Sequence, residues 1–134
     1  DLHSFPTRRS SDLLVLFKDL DIGIDCVYSG ERKMKDKGID KIELDIVLCN
    51  TTVAVVVEVK TTFRREDVEE FLKKMKIVKK YFPEFADKKL YAATAAIKYN
   101  ESCDTFAQKE GMFVIHTSGD GVFSLTQPKN RMVV

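Results

Sequence analysis

The chain is short of the residues that build thiolate frameworks. It has three cysteines, Cys26, Cys49 and Cys103, widely spaced and without a Cys-x-x-Cys, and only two histidines. No zinc site of the usual spacing can be assembled from that set, and an odd, scattered count implies reduced thiols in a cytoplasmic protein. Net charge is nearly absent as well, because 22 Lys and Arg face 21 Asp and Glu, leaving +1. A global basic field is therefore excluded as a basis for nucleic-acid binding, which would have to rest on local charge. Long apolar runs are also missing. The longest, Val53 to Val57, is strand-sized, well below the roughly 18 residues of a membrane span, so no membrane association is expected. There is no internal repeat and no low-complexity linker.

What is present fits one soluble domain: 134 residues, 44% apolar and 32% charged. The segment from His3 to Leu13 resembles a translated sequencing adapter. Residues 1–13 are accordingly set aside as a non-native scar, and Arg8 and Arg9 are not counted as a basic patch. The domain is expected over residues 14–134, N-terminally truncated relative to a longer native protein.

Along that stretch, Leu14 to Leu20 has helical spacing and Ile24 to Tyr28 alternates as a strand does. Ser29 to Asp40, with Arg32, Lys33, Lys35 and Lys37 and two glycines, is expected to be a mobile basic loop. Lys41 to Cys49 and Thr52 to Lys60 are rich in Val and Ile and form two strands around Asn50-Thr51. Glu66 to Phe82 carries one apolar stripe at helical spacing through Val68, Phe71, Leu72, Met75, Val78 and Phe82. Lys89 to Ile97 reads as a strand covered on both faces. Glu101 to Lys109 is a short helix stopped by Gly111, and Met112 to His116 and Val122 to Leu125 are closing strands. The order, a meander followed by a helical crossover to a buried strand, implies a mixed sheet in an α/β domain.

Chemistry concentrates on the second and third of these strands. Alternation places Glu58 and Lys60 on one face with Ala54 and Val56, and Glu43 and Asp45 on one face with Val47 and Cys49. An even hairpin loop puts both sets on the same side. A two-residue loop makes Glu58 a diagonal neighbour of Asp45, and a four-residue loop sets the two opposite each other. An odd loop would separate them. Paired carboxylates repel, and Mg²⁺ or Mn²⁺ would relieve the repulsion and activate a water. Lys60 could then act on that water or on developing charge. From spacing alone, a solvated strand end with a surface ion pair explains the same residues.

The flanks make the pattern more specific. Glu43-Leu44-Asp45-Ile46-Val47, then Val55-Val56-Val57-Glu58-Val59-Lys60, then a helix opening Glu66-Asp67-Val68, resembles the core of the PD-(D/E)XK nuclease superfamily. Leu90 to Ala96 and Ala107 to Asp120 are similar to a prokaryotic branch of uncharacterised domains assigned to it. The resemblance implies a three-layer α-β-α sandwich with a central mixed sheet and a restriction-endonuclease-like core. It implies metal ligation by Asp45, Glu58 and the Val59 carbonyl, a catalytic Lys60, and Glu43 as an accessory acid. It further implies Mg²⁺- or Mn²⁺-dependent hydrolysis of DNA, with Arg64 and Arg65 contacting phosphates. The acid that many members carry on the preceding helix has only Asp19 and Asp21 as candidates here. Members often carry an upstream helical segment, through which a homodimer could form. The alternative is a nucleic-acid-binding or protein-interaction module that keeps the fold without turnover. His116, Tyr91 and Tyr99 are assigned to structure rather than chemistry.

Overall fold

The computed structural model describes residues 10–18, 20, 22–36, 39–118 and 120–134. Helix α1 (Ser10–Lys18) precedes strands β1 (Cys26–Asp36), β2 (Ile39–Cys49) and β3 (Val53–Phe63). Helix α2 (Arg65–Tyr81) then crosses to β4 (Lys89–Tyr99), and α3 (Cys103–Lys109) leads to β5 (Phe113–Thr117) and β6 (Phe123–Thr126). All six strands join one sheet in chain order, β1-β2-β3-β4-β5-β6. β3, β4 and β5 run parallel, and the remaining pairs are antiparallel. The class is mixed α/β, with the sheet curled into a half-barrel.

The sheet is buried on both faces. On one, Val47, Val56, Ala92 and Val114 pack under Phe71, Met75 and Val78 of α2 and Ala107 of α3. On the other, Ile46, Leu48, Val55, Val57 and Ala93 meet Leu13 and Phe17 of α1. Such burial explains the near-continuous apolar runs of β3 and β4, which strands exposed on one side would not need. Leu13, at the border of the segment set aside above, is fully buried within α1.

Two expectations are corrected. The stretch read as a mobile basic loop is largely strand, since residues 29–36 complete β1 and residues 39 and 40 open β2; Lys37 lies outside the described residues. Lysine and glycine density signals a loop only weakly when a neighbouring strand offers a hydrogen-bonding edge. The three thiols are not all free either. Cys26 and Cys49 are register partners across β1 and β2, with Cα atoms 5.3 Å apart, and form a disulfide. Cys103 remains a buried free thiol. Wide spacing in sequence concealed this pair because a long hairpin returns the chain beside itself.

Just past α3 lies Gly111, whose φ of +93° suits glycine, and a Cβ there would lie 2.5 Å from the backbone nitrogen of Met132. That nitrogen donates to the Gly111 carbonyl, so the C-terminal segment cannot simply move away. Gly111→Ala is expected to cost about 2–3 kcal/mol through backbone strain and overpacking. A lower urea midpoint at unchanged m-value would show it.

No helix among the described residues is long and apolar enough to cross a membrane.

Candidate functional site

The β2–β3 hairpin decides what can meet. Its paired register includes Ile46 with Val57 and Cys49 with Ala54, so four residues separate the last pair. The pairing ends at Ile46 and Val57, and Asp45 and Glu58 adjoin that last pair, as the even, four-residue loop requires. Asn50 fixes this turn. Its Oδ1 accepts from the Thr52 and Val53 backbone nitrogens at 2.8 and 2.7 Å, and its Nδ2 donates to the Gly23 carbonyl. The side chain thus imitates backbone and closes a longer loop than a two-residue turn.

β2 carries a bulge at this point. Against β1, Tyr28 pairs with Val47 but Gly30 pairs with Leu44, so Asp45 and Ile46 together oppose Ser29. The extra residue reverses the facing of what precedes it. Ile42 and Leu44 join Val47 and Cys49 in the core beneath α2, although their numbers differ in parity. Glu43, expected to share a face with Val47, is thereby turned away; its side chain is exposed, and its backbone carbonyl accepts from Lys74. At the bulge, the Asp45 carboxylate accepts from the Val59 backbone nitrogen at 2.9 Å, through Oδ2. Asp45 therefore does a ladder carbonyl's work while standing beside Glu58.

Glu58 points toward α2, where its Oε1 accepts from Lys74 Nζ at 2.9 Å; the two side chains are 14% and 23% exposed. Lys74 Nζ also donates to the Glu43 carbonyl at 2.8 Å. Lys60, two residues along β3, has its Nζ 4.0 Å from Asp67 Oδ1. α2 runs back along β3, so Asp67 and Lys74, one heptad apart, address Lys60 and Glu58 in reverse order. Each charge on the strand meets an opposite charge from the helix.

Burial holds the Glu58 carboxyl above the ordinary carboxylate range; Lys74 works against this, and Asp45 adds to it. A raised carboxyl makes the charged form a cost to the folded state. That cost is absent while Glu58 is protonated both folded and unfolded, and it grows as pH rises through the folded pKa. Glu58→Gln is therefore expected to raise the melting temperature at pH 8 and leave it nearly unchanged at pH 4, as thermal scans at the two pH values would register.

A pocket of about 490 Å³ opens beside the pair, lined by Ile42, Glu43, Glu58, Glu70, Lys73, Lys74 and Ile77. Asp45 and Glu58 suit a hard divalent cation. They are all-oxygen donors near enough for Asp45 to act on the Glu58 carboxyl, and the hydrogen bonds among the described residues engage only Asp45 Oδ2 and Glu58 Oε1. No cluster of three His, Cys, Asp or Glu that could hold a metal occurs among the described residues, so further ligands would be carbonyl or water.

The other candidates sit at the margin. Arg64 precedes α2 and is exposed, and its backbone nitrogen donates to Asp67 Oδ2. The Arg65 guanidinium lies 3.9 Å over the Phe106 ring. His116 Nε2 is 3.7 Å from Asp104 Oδ2, and its ring leans on Tyr99. Tyr99 stacks on Phe63 and donates to the Ile115 carbonyl. Tyr91 packs edge-on to Phe113. Asp19 and Asp21 lie outside the described residues. Lys74 is a site residue that its type alone does not single out. The available signal was its place three residues after Phe71 and four before Val78, at the edge of the apolar stripe.

The profile of a family described as Domain of unknown function (DUF8196) matches residues 29–123, and so takes in Asp45, Glu58, Lys60 and Lys74. No curated protein matches the chain. A solved structure, the crystal structure of a protein of unknown function called AF1548, is 12% identical with a TM-score of 0.47. The similarity covers 79% of this chain and 55% of that one, so the chain spans little more than half of that protein's length.

Proposed function

The chain belongs to the DUF8196 family, and on that premise we propose that it is a metal-dependent nuclease hydrolysing phosphodiester bonds of DNA, built as a restriction-endonuclease-like three-layer α-β-α sandwich. The observation carrying the proposal is that Asp45 and Glu58 adjoin the last β2–β3 pair, near enough for Asp45 to act on the Glu58 carboxyl, with Lys60 two residues on along β3. Core packing against helices from both faces of the sheet supports the layered reading.

Asp45 and Glu58 would hold Mg²⁺ or Mn²⁺, assisted by the Val59 carbonyl. When bound, the cation supplies positive charge at the phosphate and lowers the pKa of a coordinated water. The remaining work falls to the chain. Asp45 is fixed by the Val59 nitrogen, so its other oxygen has a set direction. The Lys60 ammonium, held loosely by Asp67, can orient the attacking water or balance charge as the P–O bond breaks. Arg64, exposed at the start of α2, is placed to meet a flanking phosphate. Arg65 is already engaged with Phe106.

A second reading, DNA binding without turnover, is favoured by the Lys74 ammonium already seated on Glu58. Supercoiled plasmid incubated with the protein and Mg²⁺ separates the two. Nicked product that disappears with EDTA supports the nuclease. Salt-dependent binding with no nicking leaves the binding module.

A further inference from the structure

We infer that Lys74 is the resident counter-ion of Glu58 and that a divalent cation must displace it to bind. The inference rests on the metal-dependent reading above and adds a competitor within the chain itself. Lys74 makes two contacts at once, 2.9 Å to Glu58 Oε1 and 2.8 Å to the Glu43 carbonyl. Both partners lie on the sheet while Lys74 belongs to α2, so the ammonium bridges the layers over the carboxylate a metal would use. A divalent cation arriving at the other oxygen of this largely buried carboxylate would stand close to the Lys74 ammonium and be repelled by it.

The helix also offers the displaced ammonium somewhere to go. Glu70 lies one turn before Lys74 on the same pocket wall, in the i,i+4 order that favours a Glu–Lys pair. Glu70 now stands 3.6 Å from Lys73, with both side chains 74% exposed. Such an exposed pair is held weakly and can be exchanged. Lys74 thus has a latched position on Glu58 and a released one toward Glu70, with the pocket between them.

Mn²⁺ binding, measured by titration calorimetry and by loss of the free Mn²⁺ electron paramagnetic resonance signal, tests this without DNA. Wild type should bind weakly, Lys74→Met roughly ten-fold tighter, and Lys74→Arg, which keeps the charge, about as wild type. Glu58→Gln should abolish binding. Lys74→Met leaves Glu58 without its partner and will lower stability. Its melting temperature should therefore rise further with Mn²⁺ than that of wild type, which shows the effect even in a weakened fold. If wild type binds through Glu58 but Lys74→Met binds no tighter, the counter-ion role is overturned and the metal site stands. If no variant binds Mn²⁺ in a Glu58-dependent way, the metal-dependent reading falls, and this inference with it.

Discussion

Lys60→Ala is expected to reduce Mg²⁺-dependent nicking of supercoiled plasmid by at least about 100-fold, the lower end of what a positioned acid–base group contributes. The ammonium projects from β3, 36% exposed and 4.0 Å from Asp67, so its loss removes little packing. The variant should melt close to wild type, which separates a catalytic loss from a folding loss. Asp45→Asn sharpens the comparison. An amide oxygen can still accept from the Val59 nitrogen and preserve the bulge, while the charge a cation needs is gone. Nicking by Asp45→Asn should fall as far as with Lys60→Ala. Equal rates for wild type and Lys60→Ala would sink the nuclease assignment.

Phe71→Ala is expected to destabilise the domain by about 3–5 kcal/mol, the cost of emptying a large aromatic position in a closed core. Phe71 is 1% exposed and lies in the middle of the apolar stripe that seats α2 on the sheet. The same helix carries Asp67 and Lys74, so loosening it also loosens both charge pairs with β3. A fall of more than ~10 °C in melting temperature is expected for a domain of this size. Leu72, one residue on, is only partly buried, and Leu72→Ala should cost clearly less. Similar losses at the two positions would mean that α2 is not seated as described.

The elements were legible where a period was clean. The stripe from Val68 to Val78 announced α2 to within a residue at each end, because a helix seated on a sheet must repeat its apolar contacts. Strand parity narrowed the site to a choice among loop lengths, and Asn50 made the choice through side-chain bonds that a dipeptide signal does not encode. The bulge at Asp45 and Ile46 was invisible, since it is defined by pairing with β1, in a stretch whose lysines suggested a loop. Lys74 was hidden for a related reason. A lysine stem can lie along an apolar face while its head reaches a buried acid, so residue type pointed outward where position pointed inward. Cys26 and Cys49 met only because the hairpin returns the chain beside itself.

The sheet follows the chain strand by strand, from β1 at one margin to β6 at the other. No strand has to be inserted between two that are already joined. During synthesis each new strand can dock on the margin left by its predecessor, so assembly can keep pace with emergence from the ribosome. Only the β3-to-β4 and β4-to-β5 steps must wait for a helix to form first. The growing margin is a sticky template until the next strand covers it, and the last to arrive, β6, is only four residues long. A nascent chain from which only β1 to β3 have emerged would therefore hold the completed β2–β3 hairpin with the β3 margin open and Lys74 still inside the exit tunnel.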